Sequence, residues 1–249
     1  MIVYPNAKLN IGLNVLEKRV DGYHNLSSIF YPVKKLYDIL EIVPATRFYF
    51  SSSGIRIPTE NNICIRAFNI LKKDFDIKNI KIHLHKRIPI GAGLGGGSSD
   101  GAFVLKVLNT LFDLGLSNSQ LEKYALQLGA DCPFFIENKP KYVTGIGEKM
   151  KSINLDLAEY ELRFNFPDFC ISTAEAYSEI KPIVPKVSLL ELVGQPMDRW
   201  RSTVKNDFEV SIFSKYPQLE NIKNQFYNDG AIYASMSGSG SVIYGLFKK

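Results

Sequence analysis

Residues Pro89-Ile90-Gly91-Ala92-Gly93-Leu94-Gly95-Gly96-Gly97-Ser98-Ser99-Asp100 decide how this chain is read. Five of the seven positions from Gly91 to Gly97 are glycine, so the backbone can take positive φ and come close to a ligand. The stretch before the loop, Ile80, Ile82 and Leu84 against Lys81, His83 and His85, alternates with the period of a strand. Pro89 ends that strand. Ser98 is expected to open a helix through Leu105, Leu108 and Leu111. A strand, a glycine loop and a helix in series direct unpaired N–H groups and the positive helix end at one place, which makes an anion cradle. The hydroxyls of Ser98 and Ser99 could add donors for phosphate oxygens or a magnesium ion.

Three other readings fit parts of the same loop. Gly91, Gly93 and Gly96 match G-x-G-x-x-G, but that fingerprint belongs to a parallel βαβ unit with an acid about 20 residues on. A Walker A loop needs lysine where Gly97 stands. A flexible linker is seldom framed by a strand and an amphipathic helix. Without the Walker lysine, any charge that meets a transferring phosphoryl group must come from elsewhere, and Lys8 is the candidate.

Upstream, Leu9, Ile11, Leu13 and Val15 alternate with Lys8, Asn10, Gly12 and Asn14, the pattern of a half-buried strand. Asp21-Gly22 marks a turn, and Ser28–Val33 and Ile39–Val43 read as strands. Asn62 can cap a helix to about Phe75, with Ile63, Ala67, Ile70 and Leu71 as its buried stripe. Downstream, Ser117-x-x-Gln120 is a capping box for a helix that stops at Gly129. Tyr142–Thr144 is a strand, and Gly145-Ile146-Gly147 suggests a domain boundary. Leu162, Phe164 and Phe166 form another strand. Helices are expected near Leu189, Phe208 and Leu219, and a strand near Tyr233 is followed by a Gly/Ser turn and the strand Val242–Phe247. Strands and helices mix without a regular βαβ period, which predicts an α+β protein.

The chain has 249 residues, enough for two small cores, with 45% apolar and 22% charged residues. No apolar run approaches the ~20 residues of a membrane span, and Met1-Ile2-Val3-Tyr4-Pro5 lacks a signal-like block. These features predict a cytoplasmic protein. Its three cysteines, Cys64, Cys132 and Cys170, are an odd number at wide spacings, and suggest neither a disulfide framework nor a zinc site. His83 and His85 share a strand face without an acidic or cysteine neighbour, so no metal site among protein residues is expected. The net charge of +5 is scattered, without the basic stripe or aromatic motif of a nucleic-acid binder. The expected partner is a small anionic substrate, with no nucleic acid or membrane, in a monomer or weak homodimer.

Three blocks resemble the GHMP kinases: Pro5-Asn6-Ala7-Lys8-Leu9-Asn10, the loop from Pro89 to Gly101, and Ser235-Met236-Ser237-Gly238-Ser239-Gly240-Ser241. Arg19-Val20-Asp21-Gly22-Tyr23-His24, Leu128-Gly129-Ala130-Asp131-Cys132-Pro133-Phe134-Phe135 and Ser172-Thr173-Ala174-Glu175-Ala176-Tyr177 narrow the match to the branch that phosphorylates a cytidyl-linked alcohol for non-mevalonate isoprenoid synthesis. The resemblance implies a two-domain fold: an ATP-binding N-terminal domain at 1–147, like domain 2 of ribosomal protein S5, and a ferredoxin-like C-terminal domain at 148–249. It implies that Lys8 and Asp131 flank the acceptor hydroxyl as catalytic residues. Asn62, Lys86, Pro89, Gly91, Gly93, Leu94, Gly95, Gly96, Gly97, Ser98 and Ser99 fall on ATP-binding positions. Asn10, Tyr23, His24, Tyr177 and Gly238 fall on substrate-binding positions, with Tyr23 and Tyr177 stacking on the base and His24 at its edge. Gly240 is expected in a turn beside Gly238. ATP would arrive with Mg2+ held largely by phosphates and water, and Asp100 reads as a first-turn helix residue and not as a metal ligand. The sequence departs from the family at Gly101, where alanine is usual, and at Asp168, where glycine is common. Another GHMP kinase, of the homoserine or mevalonate type, or a silent GHMP nucleotide-binding module, are the rival readings. An aliphatic substrate has no base for Tyr23, His24 and Tyr177 to hold, and a binding module requires neither Lys8 nor Asp131.

Overall fold

The computed structural model describes residues 1–249. The chain opens with β1 (Ile2–Val3), β2 (Asn6–Lys18) and β3 (His24–Tyr37), followed by β4 (Ile39–Pro44) and β5 (Tyr49–Gly54). Helix α1 (Ile63–Asp74) and strand β6 (Ile80–Lys86) lead through the glycine loop into α2 (Gly96–Leu111), α3 (Asn118–Leu128) and the short α4 (Phe134–Glu137). Strands β7 (Lys141–Gly145), β8 (Lys149–Ser152) and β9 (Tyr160–Asn165) come next. Helices α5 (Thr173–Ser178), α6 (Leu189–Val193), α7 (Trp200–Thr203), α8 (Phe208–Lys215) and α9 (Pro217–Asn228) precede the hairpin β10 (Tyr233–Met236) and β11 (Ile243–Lys248).

Two compact units share the chain. The first takes residues 1–8, 32–90 and 95–139, and the second 9–31, 91–94 and 140–249. In the first, the strand order is β1-β4-β6-β5; α2 packs on β4, and α1, α2 and α3 pack on one another. Strand β6 pairs antiparallel with β4 and parallel with β5, so the α+β expectation holds. Helix α1 is capped as expected, with the Asn62 side chain accepting from Cys64 N–H. Its buried stripe is Cys64, Ala67, Phe68 and Leu71, not one led by Ile63 and Ile70. The capping box at Ser117 and Gln120 is formed, and α3 ends at Gly129.

The second unit holds two sheets, β2-β3-β7-β8 and β10-β11-β9; the ends of β2 and β3 reach into the first unit. Residues 146–148 form the turn between the antiparallel strands β7 and β8, so Gly145-Ile146-Gly147 lies at a hairpin. Helices α8 and α9 pack on each other, and α9 packs on β10 and β11. Strand β9 stops at Asn165, leaving Phe166 exposed.

Two expectations about burial need correction. Strand β2 is not half-buried: both faces are covered through Leu13, with Lys8 4% and Asn10 3% exposed. Its polar face survives burial because each group has a partner. Helix α2 begins at Gly96, two residues before Ser98, because Gly95 takes the left-handed conformation and serves as the N-cap. Asp100 is therefore the fifth helical residue rather than a first-turn one, and it is buried.

Candidate active site

The glycine loop is a backbone construction. Gly91, Gly93 and Gly95 have φ of +66°, +75° and +65°, which side-chain-bearing residues resist. Gly93 is also enforced by contact within the second unit. A Cβ there would sit 1.9 Å from the carbonyl oxygen of Ser237. In the first unit, a Cβ on Gly95 would meet the Lys8 side chain at 3.0 Å. No side chain caps the start of α2, so its first N–H groups remain available to an anion. At exposed Gly97 a Cβ would meet nothing within 4 Å. An uncapped 16-residue helix with open space at its second residue suits a polyphosphate.

Beneath that helix end lies a buried charge cluster. The Lys86 ammonium bonds the Asp38 carboxylate at 2.5 Å and the Asp100 carboxylate at 2.7 Å. Asp38, fully buried, also accepts from the N–H groups of Arg87 and Ile88 at 2.5 and 2.9 Å. Burial pushes the Asp100 carboxyl up to about 8 despite the adjacent Lys86 ammonium. Burial works against the charge on Lys86, but Asp100 and Asp38 outweigh it and raise its pKa. The structure thus places the Lys86 ammonium between the side chains of Asp38 and Asp100. Ser99 is likewise inside: its hydroxyl is buried without a partner, and its N–H donates to Gly95. Ser98 is half-exposed. The Asn62 side chain serves its helix cap and the Pro58 carbonyl.

Lys8 and Asp131 meet. The Lys8 ammonium lies 3.4 Å from the Asp131 carboxylate, with side-chain exposures of 5% and 33%. The lysine comes from the first buried residues of β2. The aspartate comes from the turn after α3, held by the Cys132 N–H to Gly129 bond and by Pro133. A buried cation beside a half-open carboxylate can offset charge on a phosphoryl group while the carboxylate faces an incoming hydroxyl.

Asn10, Tyr23, His24, Tyr177 and Gly238, the positions expected at the substrate, all belong to the second unit. The Asn10 amide donates to the Ser28 hydroxyl at 2.9 Å, and its backbone N–H donates to the Ser237 hydroxyl at 3.2 Å. The Ser237 hydroxyl in turn donates to the Gly93 carbonyl at 2.9 Å, and Tyr244 donates to the Asn10 carbonyl. Gly238, at φ +56°, sits so that a Cβ would be 3.2 Å from the Asn10 side-chain oxygen. The His24 ring stacks on Tyr177 with centroids 4.8 Å apart and planes at 21°. Tyr177 also meets Phe208 edge-on at 4.8 Å. Burial, then the Lys18 charge, lowers the His24 pKa below the usual imidazole value. Tyr23 is 61% exposed at the β2–β3 turn, where its N–H donates to Asp21. Elsewhere, His83 and His85 hydrogen-bond Ser51 and Ser53. No cluster of three metal-ligating side chains occurs, and no helix is long and apolar enough to cross a membrane.

Sequence reading missed Asp38 and Asn206, and quoted Ser237 within the C-terminal motif without giving it a role. Asp38 meets Lys86, Arg87 and Ile88, and Asn206 meets Met236 and Gly238, all distant in sequence, so the local pattern does not announce either.

Comparison with known proteins defines the class first. Residues 62–139 match the GHMP kinases N terminal domain and residues 186–249 the GHMP kinases C terminal domain. The 4-diphosphocytidyl-2-C-methyl-D-erythritol kinase of Azobacteroides pseudotrichonymphae is 52% identical over 100% of this chain and 94% of its own length. The kinase of that name from Parabacteroides distasonis is 48% identical over 100% and 92%. A crystal structure of 4-(cytidine 5'-diphospho)-2C-methyl-D-erythritol kinase superposes with a TM-score of 0.84 at 30% identity, covering 99% of this chain and 90% of that one. A Methanococcus jannaschii mevalonate kinase shares the fold, with a TM-score of 0.71 at 14% identity over 100% of this chain and 90% of that one. The chain belongs to the 4-diphosphocytidyl-2-C-methyl-D-erythritol kinase family of GHMP phosphotransferases.

Proposed function

We propose that this chain transfers the γ-phosphoryl group of ATP to the 2-hydroxyl of 4-diphosphocytidyl-2-C-methyl-D-erythritol. The step belongs to the non-mevalonate, or methylerythritol phosphate, route to isoprenoid precursors, in the cytoplasm, and is run by a monomer or weak homodimer. The observation that carries the reading is the 3.4 Å pair of Lys8 and Asp131, in a chain that also carries an uncapped helix behind a glycine loop. Full-length similarity to kinases of that name supports the substrate.

In this reading the N–H groups at the start of α2 and the half-exposed Ser98 hold the phosphates of ATP. Pro89, Gly91, Gly93, Leu94, Gly95, Gly96 and Gly97 shape the loop, and Asn62 lies toward the adenine. Lys86 and Ser99 act from below as supports of the helix end. Mg2+, held by phosphates and water, supplies charge neutralisation when bound. Asp131 orients the acceptor hydroxyl and takes its proton late, as the new P–O bond forms and the bond to the β-phosphate oxygen breaks. Lys8 offsets the charge on the phosphoryl oxygens. Asn10 and Gly238 bind the acceptor, Tyr23 and Tyr177 stack on its base, and His24 bonds the base edge. A division near residue 147 into an ATP-binding and a C-terminal domain belongs to the same reading, and the two family matches fall on either side of it.

The test is a coupled assay of ADP release over candidate alcohols. The cytidyl alcohol is expected to turn over, and homoserine and mevalonate are expected to give background. Turnover with an aliphatic alcohol alone would overturn the substrate assignment.

A further inference from the structure

The run Asn206-Asp207-Phe208-Glu209 links α7 to the first turn of α8, and its side chains are fastened to three parts of the second unit: residues 235–238, β2 and the Tyr177 ring. Asn206 is 2% exposed. Its amide nitrogen donates to the carbonyls of Met236 at 2.9 Å and Gly238 at 2.8 Å, and its oxygen accepts from the Phe208 N–H at 3.1 Å. Asp207 fastens β2: its N–H donates to the Leu13 carbonyl at 2.8 Å, and its carboxylate accepts from the Val15 N–H at 2.8 Å. The Phe208 ring meets Tyr177 edge-on. Glu209 accepts from the Ser235 hydroxyl and the Met236 N–H at 2.9 and 2.8 Å. One turn of chain therefore holds the strand that carries Asn10, the loop that carries Gly238, and the ring of Tyr177.

We propose that Asn206 is a positioning residue for the cytidyl half of the acceptor. It keeps the Gly238 loop and, through Phe208, the Tyr177 ring in one fixed arrangement. Only a side-chain amide of this length offers two hydrogens to two converging carbonyls and an oxygen to an N–H at the same point. Alanine would leave buried carbonyls unsatisfied, and aspartate would set a carboxylate against them. The inference rests on the proposed function and adds to it the residue that builds the base-binding surface without touching the base.

The experiment is titration calorimetry of the full chain with cytidine diphosphate and with a non-hydrolysable ATP analogue. Wild type is compared with Asn206→Ala and with Phe208→Leu, which keeps the Asn206 hydrogen bonds and tests the Tyr177 arm alone. Turnover of the cytidyl alcohol is measured on the same samples, and folding is checked by circular dichroism. Expected is a roughly ten-fold or greater loss of cytidine diphosphate affinity in Asn206→Ala and a smaller loss in Phe208→Leu, with affinity for the ATP analogue within about two-fold of wild type. Should Asn206→Ala fail to fold, Asn206→Gln, which keeps the amide but displaces it from the two carbonyls, is read in its place with the same expected losses. A wild type that binds cytidine diphosphate and turns over, beside folded variants that bind it equally well, overturns the positioning role and leaves the proposed function standing. A wild type that neither binds cytidine diphosphate nor turns over sinks the proposed function, and the inference falls with it.

Discussion

Lys8 and Lys86 are almost equally hidden, at 4% and 3% exposed, yet they do different work. Lys8 faces one carboxylate that stays partly open, so an incoming group can share its charge. Lys86 gives two of its three ammonium hydrogens to Asp38 and Asp100. The first pair was legible only through the family resemblance; the residue pattern by itself put Lys8 on the polar side of an alternating strand and Asp131 on a proline-constrained turn. It could not reveal the second cluster, because Asp38 and Asp100 are brought to Lys86 by tertiary folding alone. Burial raises the Asp100 carboxyl to about 8, far above its ordinary value. Between about pH 4 and about pH 8 the folded chain thus keeps a proton there that the unfolded chain has released, so this group's contribution to stability falls as pH rises through that window. Melting temperatures measured from about pH 5 to about pH 8 should decline more steeply for wild type than for Asp100→Asn. Parallel slopes would mean that the carboxyl is not held in its protonated form.

Helix α2 is the element on which fold and site depend together. Its approach was legible: glycine density, the preceding strand and the following apolar period all pointed to a loop entering a helix. Its first residue was not, because the cap is a left-handed glycine and not the serine that capping statistics favour. The departure at Gly101 also has a physical reason at this scale, since a Cβ there would meet Ile63 at 2.8 Å and Leu128 at 3.2 Å where α2 packs on its neighbours. Gly97 is the opposite case, with open space around it. Replacing it by alanine should stabilise the helix by about 0.5–1 kcal/mol and raise the melting temperature. The same methyl group should crowd the phosphates and raise the KM for ATP several-fold, by roughly 1 kcal/mol of lost binding. A variant with the higher melting temperature and an unchanged KM for ATP would show that the nucleotide does not lie over this turn.

Across the whole molecule, the α+β class and most strands and helices were readable from alternation, capping and turn residues. The partition into compact units was less so. Strand β2 passes from one unit to the other at Lys8 and Leu9, with no break in its pattern to mark the crossing. Function was readable only from motifs taken together, because the loop alone fits a dinucleotide fingerprint as literally as a kinase. What remains decisive is whether phosphorus leaves ATP for an alcohol under the control of Asp131. Phosphorus-31 NMR of a reaction with ATP, Mg2+ and the cytidyl alcohol should show a new phosphomonoester growing in step with ADP, and Asp131→Asn should slow that growth by roughly a thousand-fold while ATP still binds. ADP without a phosphomonoester, or a variant that keeps pace with wild type, would contradict the account.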